Sequence, residues 1–486
     1  MKTKLFPSAG AVVLTLALSL LTRPAALAAS PSDLLEQGIF SEETKGDLDA
    51  ALKLYQQAVA ETKAGQAVGA QAQYRLGVIL YKKKNYADAS AAFEKLIHDY
   101  PDEKDLIARA RTYLSGAVFL LPAPWADGEE LRLDLKFSGG KKLGFARYSA
   151  RSSQLDGRKT WVLRSRIFAG VEQFSRVEVE ADSFKPIHCR WKHTMIGEAD
   201  TTYTAGGADL KLAGKDGVQH FDLKDVIFDN EEAIELIRRL PLGTNYTTTV
   251  RVFTGLGGGN TIPVKTSVVG IEKVDVPAGT FDCYRVELVL GVKQTFWYST
   301  DDHHYLVKFE ANGVAAELTE IAQPKPGAPV VWQASGFSLS APPDWIFYQP
   351  EILASSGVPE VANKRRLLLL DPEATAPAEI SLRKLDSLKP ETRKSVRDWA
   401  EQLIIDCSEE GKLTVRADSW QERKIAGQPA VSFIAERGSG KEQKLVYAIC
   451  TFVRDQAVYF SVEIASDSFD AYRPGFDAVA ESLRAD

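Results

Sequence analysis

Two short runs of this 486-residue chain hold the residue types that chemistry uses. His188-Cys189 and nearby His193 bring together a thiol and two imidazoles, the ingredients of a base-activated nucleophile or a metal site. In an extended segment, however, side chains alternate between faces, so His188 and Cys189 point apart, and nothing elsewhere marks a partner for the thiol. Asp301-Asp302-His303-His304 strings metal-ligand types in a row. Adjacent side chains do not all converge on one ion, and a polar turn between strands asks for the same residues. Gly257-Gly258-Gly259-Asn260 has the glycines of a phosphate loop. It lacks the following Lys-Ser/Thr and the helix start, and reads as a hairpin loop. The absence of Gly-x-Ser-x-Gly and His-Glu-x-x-His removes the commonest hydrolase and zinc-peptidase readings. No catalytic, cofactor-binding or metal-ligating residue is assigned, and no cofactor is expected.

The four cysteines, Cys189, Cys283, Cys407 and Cys450, fit no zinc spacing. Pairs Cys189–Cys283 and Cys407–Cys450 are one account of them, and buried free thiols are the other. The compartment bears on this choice. Lys2 and Lys4 precede an apolar run from Ala9 to Leu21, then Arg23-Pro24 and the small residues of Ala26-Leu27-Ala28. That is the layout of a secretory signal peptide over 1–28, so a periplasmic or secreted protein is expected. The apolar run is shorter than the roughly 20 residues of a membrane span, and no later stretch is long and uncharged enough, so no integral span is expected after processing. Loss of this leader removes three cations and no acid, taking the formal net charge from -6 to -9. Such a balance argues against nucleic acid or anionic lipid headgroups as partners.

From Ser32 to about Leu114 apolar residues recur at three- and four-residue intervals among good helix formers. Gly46–Ala58 echoes Lys84–Leu96. Ala51/Ala89, Tyr55/Phe93 and Ala58/Leu96 share one helix face, a small residue and then an aromatic one turn on. Leu76-Gly77, Leu80, Ala89, Phe93 and Pro101 have the spacing of the tetratricopeptide repeat, which this region resembles. The resemblance is tighter over 70–103 than over 32–65, where Gly38 reads as out of register. The two segments lie 38 residues apart against about 34 for the repeat, implying an insertion around 64–69. Ile107–Tyr113 is expected to close the array. About three stacked repeats are usually needed for independent stability. The resemblance implies a protein-binding groove; a helical cap or spacer is the alternative.

Past Leu120-Leu121-Pro122-Ala123-Pro124-Trp125 the rhythm changes. Leu131, Leu133, Leu135 and Phe137 alternate with Arg132, Asp134 and Lys136, the period of a half-buried strand. Strand-like stretches and turn signals follow to about 322, interrupted by one helix. Asn230 is expected to cap it, Glu231 and Glu232 to sit in its first turn, Arg238 and Arg239 in its last, with Ala233, Leu236, Ile237 and Leu240 facing inward. An antiparallel sheet curled over that helix is the simplest packing. The run Val274-Asp275-Val276-Pro277-Ala278-Gly279-Thr280-Phe281-Asp282-Cys283-Tyr284-Arg285-Val286, with Phe296-Trp297-Tyr298-Ser299 and Tyr305-Leu306-Val307-Lys308, resembles domain-of-unknown-function family 3108. That resemblance implies an exported bacterial protein with a curved sheet of LolA/LolB lipoprotein-carrier shape, and no established activity. It raises the prospect that Phe137, Phe145, Trp161, Phe168, Phe296 and Trp297 share one side and hold a lipid or other apolar ligand; simple core packing is the stronger reading.

After the linker 323–329, a strand from Gly336 to Ser340 leads into Ala341-Pro342-Pro343-Asp344-Trp345. A helix is expected over Glu391–Ser408, then a strand Trp420–Glu436 bent at Gly427-Gln428-Pro429, strands Lys444–Val453 and Val458–Ile464, and a closing helix bearing Phe469, Tyr472, Phe476, Val479 and Leu483. This layout, with its Trp345 entry and an Ile425-Ala426-Gly427-Gln428-Pro429-Ala430 hairpin, resembles the PsbP-like α/β/α sandwich, which implies a binding or assembly module. The expected architecture is therefore multidomain: a signal peptide at 1–28, all-α helical repeats at 32–117, an antiparallel β-rich curved-sheet domain at 125–322, and an α+β sandwich at 335–486. The expected function is that of an exported, non-catalytic envelope scaffold docking a protein partner through its repeats. A periplasmic carrier or sensor of a hydrophobic ligand is the alternative, and a hydrolase built on His188/Cys189 or Asp301–His304 is a distant third.

Overall fold

Ser30 starts the first helix by satisfying its orphan amides: its hydroxyl accepts the Asp33 N–H while the Asp33 carboxylate accepts the Ser30 N–H, a reciprocal capping box. The computed structural model describes residues 29–486 apart from 64–65, 84, 112, 115–117, 119, 138–139, 224–226, 245, 291, 312, 335, 351–363, 410–412, 439–442 and 486; the leader read at 1–28 lies outside the described residues. The chain divides into two compact units, residues 1–110 and 111–486.

In the first unit α1 (Pro31–Glu43), α2 (Leu48–Glu61), α3 (Ala67–Lys82), α4 (Tyr86–Asp99) and α5 (Lys104–Arg111) follow in order. Ala51, Tyr55, Ala58, Ala89, Phe93 and Leu96 are all fully buried, so the small-then-aromatic face of α2 and α4 is the packed one. Gly38 reads as out of register and still makes the repeat's contact. It lies against the Tyr55 ring as Gly77 lies against the Phe93 ring, although it stands 17 residues before its ring and Gly77 16 before its own, so the one-residue offset does not prevent the two helical pairs from sharing one close-approach device. The closing helix begins three residues earlier than expected, at Lys104, and spans Lys104–Arg111.

The second unit holds a 15-stranded sheet. One arm comprises β1 (Glu129–Phe137), β2 (Lys142–Leu155), β3 (Arg158–Phe168), β4 (Glu172–Glu180), β5 (Pro186–His193), β6 (Gly197–Tyr203), β7 (Gly207–Leu212) and β8 (Gln219–Asp222). The other comprises β9 (Phe228–Asp229), β10 (Thr247–Thr254), β11 (Asn260–Val276), β12 (Gly279–Leu290), β13 (Val292–Ser299), β14 (Leu306–Ala311) and β15 (Val314–Ala322). The order runs from β8 down to β1, then from β15 down to β9. β1 is thus central and antiparallel to both β2 and β15. The chain leaves it toward one edge, crosses to the other, and returns. The arms curl until they meet: Tyr203 of β6 donates its hydroxyl to Asp229 of β9, and Gly255 after β10 lies on Ala199 and Leu210. Between them sits α6 (Ala233–Arg238). Leu131, Leu133 and Leu135 alternate inward as their period required and share one core with Leu236, Ile237 and Leu240.

The rest of this unit begins with β16 (Val330–Ala334) and β17 (Phe337–Ala341). An eight-stranded sheet follows: β18 (Ile346–Tyr348), β19 (Lys364–Leu370), β20 (Ala378–Lys384), β21 (Leu413–Val415), β22 (Gln421–Ile425), β23 (Gln428–Arg437), β24 (Lys444–Val453) and β25 (Gln456–Ala465). It is sandwiched by α7 (Val396–Glu409) and α8 (Phe469–Glu481). Alternation along β24 explains the layers. Leu445, Tyr447 and Ile449 share a core with Phe476 and Val479 of α8, whereas Val446, Ala448 and Cys450 share one with Val396, Trp399 and Ala400 of α7. The Ile425–Ala430 run forms its hairpin with the turn at Ala426 and Gly427, which both take positive φ (51° and 77°), and Ile425 pairs with Gln428, the two-residue turn that matches strand twist. One local reading changes. The α-helix starts at Val396, preceded by a 3-10 turn Pro390–Arg393.

Candidate functional site

The residues with catalytic types do not gather. On β5, His188 pairs Nε2 with Asp200 at 3.0 Å on the outer face, while Cys189 faces the core; strand alternation separates them. His193 accepts the Met195 N–H at 3.2 Å. Asp301 forms the expected polar turn, accepting the His303 N–H and the Ser299 hydroxyl. His303 turns to the Pro124 carbonyl and His304 to the Arg238 carbonyl, at 3.0 and 2.9 Å. Among the described residues no three His, Cys, Asp or Glu side chains are placed to hold a metal ion. Gly257, Gly258 and Gly259 all take positive φ in the β10–β11 hairpin turn. Cys189, Cys283 and Cys450 are free and buried, so neither proposed pair is bonded. Cys189 faces the α6 core, while Cys283 packs with Val274, Trp297 and Val307. The side chain of Cys407 lies outside the described residues.

The six aromatics proposed to share one side do not. Phe296 and Trp297 are neighbours on one strand and enter different clusters, as alternation demands. Phe145 and Phe168 leave the concave side altogether and pack on Tyr348 of β18, with centroids 5.0 and 5.3 Å away. Trp161 meets Trp125 edge-on at 5.8 Å, and Phe137 is exposed. The concave space is filled by α6 and its apolar contacts.

What fills it is unexpectedly charged. The cap of this helical segment is Asp229, one residue before the expected Asn230: its side chain accepts the Glu231 N–H, and its own N–H donates to Glu232 at 2.9 Å. Asp229, Glu232, Glu235, Arg238 and Arg239 are all buried. Arg238 donates to buried Glu129 at 2.7 Å and lies over the Trp125 and Tyr305 rings. Arg239 donates to the carbonyls of Leu121, Ala181 and Asp182, and its burial pulls the guanidinium down to about 10. Burial pushes Glu231 up to about 7 and Glu235 up to about 8, and raises Asp229 and Glu232. Loss of hydration is the leading cause throughout, because an ion in a low-dielectric interior is costly. Cap rules place acids in a first turn but say nothing of burial, so the sequence carried no signal for this.

A second feature lies on the outer face of the same sheet. Cross-strand register sets Arg132 opposite Arg147, and Arg147 opposite Arg166. A neighbouring row sets Arg164 opposite Arg176, and Arg176 opposite Arg190. The first row and the β16–β18 segment together line an open cavity of about 430 Å³, to which Trp332, Trp345 and Phe347 contribute. Arg151 donates to both oxygens of Asp344, at 2.5 and 2.7 Å. Arg166 donates to Glu172 and to the Asp371 carbonyl. The signal existed in the sequence as parity, Arg147 with Arg151 and Arg164 with Arg166, but register was needed to align the strands.

Residues 132–319 match the family described as a protein of unknown function (DUF3108), and residues 41–104 match a tetratricopeptide repeat. Comparison with curated proteins gives no match. Among solved structures the chain is similar to cyanobacterial PsbP (CyanoP) from Synechocystis, with 16% identity over 33% of this chain and 95% of that one and a TM-score of 0.27. It is also similar to LpqN, involved in cell envelope biogenesis of Mycobacterium tuberculosis, with 15% identity over 33% and 85% and a TM-score of 0.21. MucB shows 10% identity over 75% of this chain and 94% of its own, with a TM-score of 0.19.

Proposed function

We propose that this chain is an exported, non-catalytic binding protein of the bacterial cell envelope that docks a protein partner through its helical repeats, the leader at 1–28 directing export. The carrying observation is the repeat itself: two helical pairs built on the same glycine-against-ring contact, Gly38 on Tyr55 and Gly77 on Phe93, the second pair and Tyr55 lying within residues 41–104, which match a tetratricopeptide repeat. On α3, Gln71, Arg75, Val78 and Lys82 recur along one partly exposed face, the i, i+4, i+7 spacing of a helix stripe. Arg75 and Lys82 both hold Glu42 of α1, fixing the two helices side by side. The non-catalytic reading is supported by the dispersal of thiol and imidazole groups and by thiols that burial holds protonated, away from the thiolate that nucleophilic chemistry requires. No helix among the described residues is long and apolar enough to cross a membrane.

The test is photo-crosslinking in cells from Gln71 and Val78 of the full-length chain, with exposed Glu401 of α7 as control, alongside mass spectrometry of the mature N-terminus. The expected result is one discrete protein adduct from the α3 positions only, on a chain beginning near Ala29. Adducts absent, or identical from the control position, overturn docking; an unprocessed N-terminus overturns export.

A further inference from the structure

Residues directly opposed across antiparallel strands have Cβ atoms about 4.5–5.5 Å apart, and like charges there are destabilising. The row Arg132, Arg147, Arg166 places three guanidiniums in that relation, so the row calls for negative charge. The chain's own carboxylates supply it incompletely. Glu130 takes Arg132 Nε at 2.6 Å and Glu320 takes its Nη1 at 2.8 Å, Glu172 takes Arg166, and Arg147 Nη1 between them stands off Glu130 at 3.6 Å, beyond hydrogen-bond length. Asp344 is held in a fork by Arg151, and Arg164 reaches it only at 3.5 Å and Glu373 only at 3.6 Å. Arg164 Nε is buried without a hydrogen-bond partner. Thus Arg151 and Arg166 fasten the sheet to the following segment, while Arg147 and Arg164 line the cavity with loosely matched charge.

We infer that this cavity binds a phosphate-bearing small molecule, its phosphoryl oxygens gripped by Arg147 and Arg164 and its organic part lying against Trp332 and Phe347. Guanidinium forks match phosphate geometry with paired, charge-assisted hydrogen bonds. A phosphoryl group offers more oxygens and more charge than a carboxylate, as two underpaired guanidiniums beside a third require. The cavity, about 430 Å³, lies within the range of small-ligand sites. Its basic floor contrasts with the acidic chain as a whole, which disfavours extended polyanions and anionic membranes and leaves a compact anion as the ligand.

The test titrates the full chain with inorganic pyrophosphate by calorimetry. One saturable site is expected, weakened roughly tenfold or more in both Arg147→Gln and Arg164→Gln. The unliganded Arg147→Gln chain should unfold at the wild-type temperature or above it, since its row loses self-repulsion. A second measurement needs no variant: phenylglyoxal labelling of Arg147 and Arg164, read by peptide mass spectrometry, should be blocked by pyrophosphate. Co-sedimentation with phosphatidylglycerol vesicles separates the sources. Pyrophosphate binding without vesicle binding assigns a soluble ester, and vesicle binding lost in Arg147→Gln assigns a lipid headgroup. Absence of saturable pyrophosphate binding, unprotected labelling, or variants that bind as the wild type overturn the proposal.

Discussion

Gly77 lies flat against Phe93: a Cβ built there would sit 2.6 Å from Cε1 of a ring that is itself fully buried. Two effects oppose each other in Gly77→Ala. Helix propensity favours alanine by about 1 kcal/mol, whereas overpacking a closed core costs about 1–3 kcal/mol. A ring with no free side cannot yield, so overpacking wins and urea unfolding should show a net loss of about 1 kcal/mol. In a Phe93→Leu background the space opens and the same substitution should become neutral or stabilising. A loss of equal size in both backgrounds would show that the ring is not the cause.

The fork of Arg151 on Asp344 joins the outer face of β2 to the turn after β17. Both side chains are partly exposed, which screens the pair, but the two-pronged geometry and shared position beside Arg164 favour it. A double-mutant cycle with Arg151→Ala and Asp344→Ala should give a coupling of about 1 kcal/mol, shrinking as salt is raised. Additive single effects would remove this contact from the forces holding the two segments together.

Where periodicity alone decides structure, the residues were legible. Leu131, Leu133 and Leu135 face the core as their alternation requires, and Ala51, Tyr55 and Ala58 form the packed stripe of α2. The hairpin in Ile425–Ala430 was legible from its Gly-x-Pro-Ala run, whereas its two turn residues are fixed only by the positive φ of Ala426 and Gly427. Asp229 and Glu235 were missed for a different reason. Their types suit a solvated helix start, and only the curling of two distant sheet arms over α6 takes them out of water. The arginine rows needed the register of β1, β2 and β3, which turn lengths and bulges set rather than side-chain type.

Cys189, Cys283 and Cys450 are free and buried in three separate apolar clusters. Burial pushes the Cys283 thiol up to about 12 and raises the other two further from reach. A thiol held protonated and covered reacts slowly. The native chain should therefore leave these three unmodified by Ellman's reagent at pH 8, and unfolding without reductant should release all four cysteines of the sequence to it. Two thiols fewer after unfolding would reveal a disulfide. Rapid reaction of the native chain at Cys189, Cys283 or Cys450 would show that its cluster opens.

Glu235 is 3% exposed, and loss of hydration pushes its carboxyl up to about 8. In an unfolded chain the same group titrates near 4.3. Below about 4.3 it is protonated in both states and contributes nothing to the pH dependence of stability. Between that value and about 8 the folded chain keeps a proton that the unfolded chain has released, so stability falls as pH rises through the window. Glu231, pushed up to about 7 by burial first and by Asp229 second, adds to the same slope. Glu235→Gln preserves the shape and cannot ionise. It should match the wild type at pH 5 within about 1 kcal/mol and exceed it by roughly 4 kcal/mol at pH 8.5, measured as urea unfolding free energies. Parallel pH profiles for the two chains would mean that Glu235 titrates normally and that water reaches the helix inside the curled sheet.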